Sequence, residues 1–115
     1  GASNRMELYK VTETSDAMKE ISSLILEATE HVAKALFELK DLKNIRNITD
    51  SCVRINSVES KADYIFDKAV AELFEYEKDA INLIKNKEVL SAMEDATDKC
   101  EDVANVLESI LVKNA

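Results

Sequence analysis

The sequence predicts an all-α protein folded as an antiparallel three-helix bundle. It contains no proline, and its one glycine is Gly1, so no interior position carries a strong helix breaker. Three stretches repeat apolar residues at alternating three- and four-residue spacing, which is typical of helices that pack against other helices. Polar segments near 43–47 and 76–87 separate these stretches, and short connections of this kind favour antiparallel neighbours. We therefore expect three long helices and no strand.

The first helix is predicted from about Thr14 or Ser15, either of which is a suitable N-cap, to about Lys43. A continuous helix starting at Asn4 is the alternative. The apolar stripe of this helix comprises Met18, Ile21, Leu24, Ile25, Ala28, Val32, Ala35, Leu36 and Leu39.

The segment before this helix is predicted to be a separate part of the chain. We expect residues 1–13 to form the tail of a preceding helix or a linker, and residues 14–115 to form the bundle. The chain does not begin with methionine, which suggests a fragment of a longer protein. Met6, Leu8 and Tyr9 would then expose apolar surface, which favours pairing with a second copy.

The central helix is predicted from about Asn47 to Tyr76, with Asn47 and Asp50 forming a capping box. Position 59 of its stripe holds Glu where an apolar residue is expected, and Asp63 follows one turn later. A carboxylate on a packing face costs free energy unless it is paired, hydrogen-bonded or bound to a cation. Glu59 and Asp63 are therefore candidate site residues, with a salt bridge to a neighbouring helix as the simpler alternative. The stripe itself comprises Ile48, Cys52, Ile55, Ala62, Phe66, Ala69 and Leu73.

The third region is predicted to begin with a short helical piece at Glu77. Asn86 would then cap a last helix from Lys87 to about Lys113. The apolar stripe of this last helix comprises Val89, Met93, Ala96, Cys100, Val103, Leu107 and Ile110.

The last helix also carries the densest negative charge of the chain. Like charges three and four residues apart repel, which a solvated face tolerates and a bound cation would relieve. Asp98 and Asp102 are four residues apart and could converge on one ion. A helical wheel places them roughly opposite Cys100, so we expect them on an outer surface of the bundle.

Composition narrows the function. A net charge of −8 disfavours nucleic acids and anionic lipid, and it suits cations, basic partners or simple solubility. No apolar run reaches the roughly 20 residues of a membrane span, so no direct membrane insertion is expected. Two cysteines without a C-x-x-C motif fit a reducing cytoplasm, where they would act as small core residues. No nucleophile–base pair or Glu-x-x-His motif is present, so we expect no enzyme.

Three segments together resemble a known family. The stretches ITDSCVRINSVESKADYIFDKAVAELFE and EDATDKCEDVANVLESILVKNA, preceded by RMELYKV, are similar to the PhoU-like proteins that accompany Pit-type phosphate transporters. The resemblance covers essentially the whole chain, but only the C-terminal half of the family's usual length. It implies two tandem three-helix bundles whose Glu/Asp-x-x-x-Asp motifs bind transition metals on the bundle surface, in proteins that regulate phosphate uptake.

Carried over to this sequence, the resemblance implies metal ligation by Glu59 with Asp63 and by Asp98 with Asp102. Glu101 becomes a substitute ligand, because it falls where PhoU itself prefers a small residue. The implied cofactor is a divalent transition metal, iron or zinc. The implied partner is a Pit-type phosphate transporter or a phosphate-regulatory protein, reached from the cytoplasm, and we expect a homo-oligomer. The alternative function is that of a structural or oligomerisation bundle whose acidic face only makes it soluble. A metal-dependent enzyme fragment is the third possible function.

Overall fold

Three α-helices account for the architecture. The computed structural model describes residues 2–40 and 44–114, with side chains from Thr14 onward. The helices are α1 (Ala2–Leu39), α2 (Ile45–Tyr76) and α3 (Ala80–Lys113), and no described residue lies in a strand. Each helix contacts the other two, in an assembly 62 Å long and about as wide as two helices side by side. The predicted all-α three-helix bundle is confirmed.

The bounds of α1 differ from the predicted ones. The helix begins at Ala2 and passes without interruption through Thr14 and Ser15, so neither residue caps it. This is the continuous helix that the sequence left as the alternative. The helix ends at Leu39, and the predicted end at Lys43 lies outside the described residues.

The predicted division of the chain stays a prediction. The backbone of residues 2–13 is helical and continuous with the rest of α1. The side chains of Met6, Leu8 and Tyr9, on which the predicted apolar surface depends, lie outside the part that the structure describes.

The start of α2 corrects the predicted capping box. Asn44 is the N-cap residue, and its side chain makes no capping hydrogen bond. The backbone N–H of Ile48 donates to the carbonyl oxygen of Asn44 at 3.1 Å, so the first helical turn already encloses Asn47. Asn47 and Asp50 are therefore interior helical residues on the exposed surface.

A single helix replaces the two pieces predicted after Tyr76. Asp79 caps α3, and its Oδ1 accepts hydrogen bonds from the backbone N–H groups of Ile81 at 2.9 Å and Asn82 at 3.3 Å. The helix then runs through Asn86 without a break. No glycine or proline interrupts this stretch, and Leu83 packs against the core, so the separate cap predicted at Asn86 was wrong.

The core consists of two apolar clusters along the bundle axis. The predicted stripes of α1 and α2 are largely confirmed, except that Leu36 is 47% exposed. Val58 of α2 is buried although the stripe did not include it. One cluster joins all three helices around Ala28, Ile55 and Leu107, and the other surrounds Ile21 where α2 ends and α3 begins.

The buried face of α3 is rotated from the predicted stripe. Cys100 and Leu107 are buried as expected, but Val89 is 46% exposed and Leu90 is fully buried. Apolar residues occupy two adjacent faces of this helix, and the face that includes Leu90 is the one packed against α1 and α2. The buried residues of α3 are Leu90, Thr97, Cys100, Ala104, Leu107 and Leu111.

Both cysteines are free and buried, which confirms their predicted role as small core residues. Among the residues described, no helix is long and apolar enough to cross a membrane.

Candidate metal centre

Acidic side chains from α2 and α3 meet on one flank of the bundle. Glu59 and Asp63 lie one turn apart on α2, and Asp98 approaches them from α3. One carboxylate oxygen from each of these three residues lies within 4.8 Å of the other two, and all three side chains are half-buried. The two predicted helices thus bring three of the five predicted ligands together. We call these three residues the carboxylate cluster.

Two further glutamates extend the carboxylate cluster in opposite directions. The side chain of Glu101 lies close enough to that of Glu59 to share a proton with it, and the side chain of Glu94 lies close enough to that of Asp63 to do the same. A hydrogen bond between two carboxyl groups requires a shared proton, because an ionised carboxylate can only accept. Glu59 pairs with Glu101, and the later residue Asp63 pairs with the earlier residue Glu94. The two helices are therefore antiparallel.

The electrostatics of the carboxylate cluster disfavour full ionisation of the metal-free protein. Burial raises the pKa of Glu59 to about 8, and the negative charges of Asp63 and Glu101, toward which protonated Glu59 can donate a hydrogen bond, act in the same direction. Burial likewise raises the pKa of Glu94 to about 7, with further contributions from Asp63, Asp98 and Asp67. The carboxyl groups of Glu59 and Glu94 therefore retain protons near neutral pH, whereas isolated glutamates would release them.

No cationic side chain neutralises this flank in the part of the chain that the structure describes. Among the described residues, His31 and Glu27 form an ion pair at 4.0 Å, but both belong to α1 and neither belongs to the carboxylate cluster. The lysines nearest in sequence, Lys61 and Lys99, are exposed and form no ion pair with the cluster. The salt bridge weighed as the simpler explanation for Glu59 and Asp63 is thus not found among the described residues.

The position of Asp98 corrects the helical-wheel argument. Asp98 was expected to face away from the core, whereas it is half-buried and faces α2. The cause is the rotated buried face of α3, which turns this flank toward its neighbour. Asp102 is exposed and lies outside the carboxylate cluster, because each four-residue step advances about 40° around an α-helix.

The same geometry identifies a residue that sequence reasoning missed. Glu94 precedes Asp98 by one turn, and the 40° step carries it toward α2 rather than away. The signal was available as the spacing of Glu94, Asp98 and Glu101, which places three acids on one flank of a helix. Pairing Asp98 with Asp102 instead predicted a site on the outer surface of the bundle.

Two hydrogen bonds join α2 to α3 beside this flank. The amide Nδ2 of Asn56 donates to Glu108 Oε1 at 3.4 Å, and the Cys52 thiol donates to the carbonyl oxygen of Ala104 at 3.6 Å. Burial raises the pKa of the Cys52 thiol, and the nearby charge of Glu108 adds to the effect. These contacts hold α2 against α3 beside the carboxylate cluster, so its two walls are fixed relative to each other.

Two curated proteins are similar to this chain over nearly its whole length. "UPF0111 protein YkaA" of Bacillus subtilis is 29% identical over 110 residues, which are 96% of this chain and 53% of the relative. "Putative pit accessory protein" of Rhizobium meliloti is 23% identical over 112 residues, which are 95% of this chain and 52% of the relative. These relatives confirm the resemblance to Pit accessory proteins that the sequence segments carry.

The chain spans about half the length of the curated relatives that it matches. No family model matches it, and no solved structure matches it. The donors of the carboxylate cluster are all carboxylate oxygens, the ligand type that hard divalent cations prefer.

Proposed function

We propose that this chain is part of an accessory protein of inorganic phosphate transport and that its carboxylate cluster binds a divalent cation. The observation that carries the cation proposal is the approach of three half-buried carboxylates without a cationic partner among the described residues. The transport proposal rests on the resemblance to PhoU-like proteins and on the relative named "Putative pit accessory protein".

Repulsion among the converging carboxylates favours a bound cation. Carboxylates that converge without a counter-charge raise the free energy of the folded state, and here they retain protons instead of ionising. A divalent cation replaces those protons and attracts every oxygen of the carboxylate cluster. Binding to the folded state alone stabilises it by mass action, by about 2.7 kcal/mol when the free metal is at 100 times its dissociation constant.

The proposed ligands are Glu59, Asp63 and Asp98, with Glu94 and Glu101 beside them as additional donors. Asp102 belongs to the motif carried over from the family, but its exposure favours a position outside the coordination sphere. The proposed metal remains iron or zinc. An all-oxygen donor set favours iron(II) of these two, because zinc sites in proteins draw mainly on histidine and cysteine.

The proposed role is regulatory rather than catalytic. The carboxylate cluster offers no nucleophile paired with a base, so binding of a cation supplies a switch in charge and rigidity instead of a reaction. The proposed partner is a Pit-type phosphate transporter, contacted from the cytoplasm.

The cation proposal is tested by thermal unfolding of chelator-treated protein, with and without added iron(II) under anaerobic conditions, zinc(II) or magnesium(II). We expect the transition metals to raise the melting temperature of the wild type. The variant Glu59→Gln/Asp63→Asn should lose that rise, as should Asp98→Asn. Asp102→Asn is the matched control, because it removes one exposed acid from the same helix and should keep the rise.

Two outcomes of that experiment would contradict the proposal. An equal metal-induced rise in the wild type and in Glu59→Gln/Asp63→Asn would place the ion elsewhere. No rise in any protein would leave the acids as a solvated face of a structural bundle, which is the alternative function. The transport proposal is tested separately, by measuring phosphate uptake through a co-expressed Pit-type transporter with and without the chain.

A further inference from the structure

A groove opens between α1 and α2, on the flank of α2 opposite the carboxylate cluster. Its volume is about 780 Å³, and its floor includes Leu24 and Ile65. A second depression of about 210 Å³ continues it and shares Glu20, Tyr64 and Ile65 with the first. Tyr64 stands at the junction with 70% of its surface exposed. An open apolar groove of this size, with a large exposed aromatic residue in it, is typical of a surface that another protein covers.

The two rims of the groove carry opposite charge. On α1 the charged lining residues are Asp16 and Glu20. On α2 they are Lys61 and Lys68 together with Glu72, so the α2 rim is basic on balance. Within the described ranges, Asp16, Glu20 and the two lysines form no ion pair across the groove or elsewhere. Each copy of the chain therefore presents an acidic rim and a basic rim that are both available to a partner.

We infer that the occupant of this groove is a second copy of the same chain, related by a twofold axis parallel to the helices. Such an axis places α1 of one copy against α2 of the other, so each acidic rim meets a basic rim twice in the dimer. Glu20 lines the same depressions as Lys61 and Lys68, so these residues lie at similar heights along the bundle. A twofold axis perpendicular to the helices would instead set acidic rim against acidic rim.

The shape of the groove agrees with this arrangement. Ser23, Ser57 and Ser60 line it, and residues of this size allow a facing helix to approach closely.

Helices α1 and α2 are antiparallel, because the core groups Ala35 of α1 with Ile48 of α2 and Ile21 with Leu73. The parallel axis then makes every neighbouring pair in the resulting four-helix arrangement of α1 and α2 from both copies antiparallel. Tyr64 of each copy then lies near the axis at the centre of the interface, where aromatic residues contribute most to binding.

The interface is independent of the proposed metal site, since the carboxylate cluster lies between α2 and α3. Association should therefore persist in chelator, and it would survive a failure of the cation proposal.

The test is a charge exchange followed by sedimentation velocity in chelator. The wild type should sediment at twice the chain mass of 12.9 kDa. In Glu20→Lys alone the facing rims carry more positive charge, and in Lys61→Glu/Lys68→Glu alone both facing rims are acidic. Each variant should therefore raise the dissociation constant of the dimer at least tenfold. An equimolar mixture of the two variants should restore the dimer, because both halves of the mixed interface then pair opposite charges.

The matched control is Lys78→Glu/Lys85→Glu, which changes net charge as much as Lys61→Glu/Lys68→Glu does. Lys78 and Lys85 are exposed outside the groove, so this variant should remain a dimer. Circular dichroism establishes that every variant folds. A monomeric wild type, dimeric single-sided variants, or a mixture that stays monomeric would each overturn the inference.

Discussion

Replacing Glu59 with glutamine should flatten the pH dependence of stability in metal-free protein. The folded-state pKa of this carboxyl group is about 8, against an ordinary value of 4.5. The folded protein therefore keeps a proton that the unfolded chain releases. The stability gained from that proton is fully present below pH 4.5 and is lost as the pH rises through about 8. Glutamine cannot ionise, so the variant should not show this loss.

The size of the effect follows from the same shift. The full difference in pKa corresponds to roughly 5 kcal/mol in the free energy of unfolding. Glu59 is only half-buried, and solvent screens such a group, so about 1–2 kcal/mol between pH 5 and pH 8 is the realistic expectation. Some decline should persist in Glu59→Gln, because the pKa of Glu94 is also raised, to about 7.

The assay is urea unfolding in chelator, followed by circular dichroism at intervals from pH 5 to pH 8. Glu75→Gln is the matched control, since it removes an exposed glutamate from the same helix and should keep the wild-type decline. Stability of the wild type that stays constant or rises over this range would refute the reasoning. An equal decline in the wild type and in Glu59→Gln would refute it as well.

Two further predictions concern the fold itself. Leu107→Ala should cost about 2–4 kcal/mol in the free energy of unfolding, because Leu107 is 2% exposed within the core, whereas Val106→Ala, at a position 59% exposed, should cost less than about 0.5 kcal/mol. Urea unfolding that shows similar losses for both would contradict the assigned buried face of α3. Asp79→Ala removes an N-cap that accepts hydrogen bonds from two backbone N–H groups and should lower the free energy of unfolding by about 1 kcal/mol. Asp50→Ala, inside α2, should lower it clearly less. The reverse order would support the capping box predicted from the sequence.

The sequence by itself determined the fold class and the first half of the candidate site. The absence of interior glycine and proline and the three apolar repeats were sufficient for three helices, because helix formation depends mainly on local composition and periodicity. Glu59 interrupts an otherwise apolar stripe, and this local anomaly pointed to Glu59 and Asp63 before any contact was known. The family resemblance was likewise visible in ordered segments of the chain.

The tertiary structure alone decided which acids of α3 meet those of α2. Apolar residues on α3 occupy two adjacent faces, so periodicity could not say whether Val89 or Leu90 enters the core. The packing of α3 against the two other helices fixes that rotation. With Leu90 rather than Val89 in the core, Asp98 and Glu94 face the acids of α2 and Asp102 remains in solvent. Helix rotation about its own axis is set by contacts between distant residues, which a local pattern does not contain.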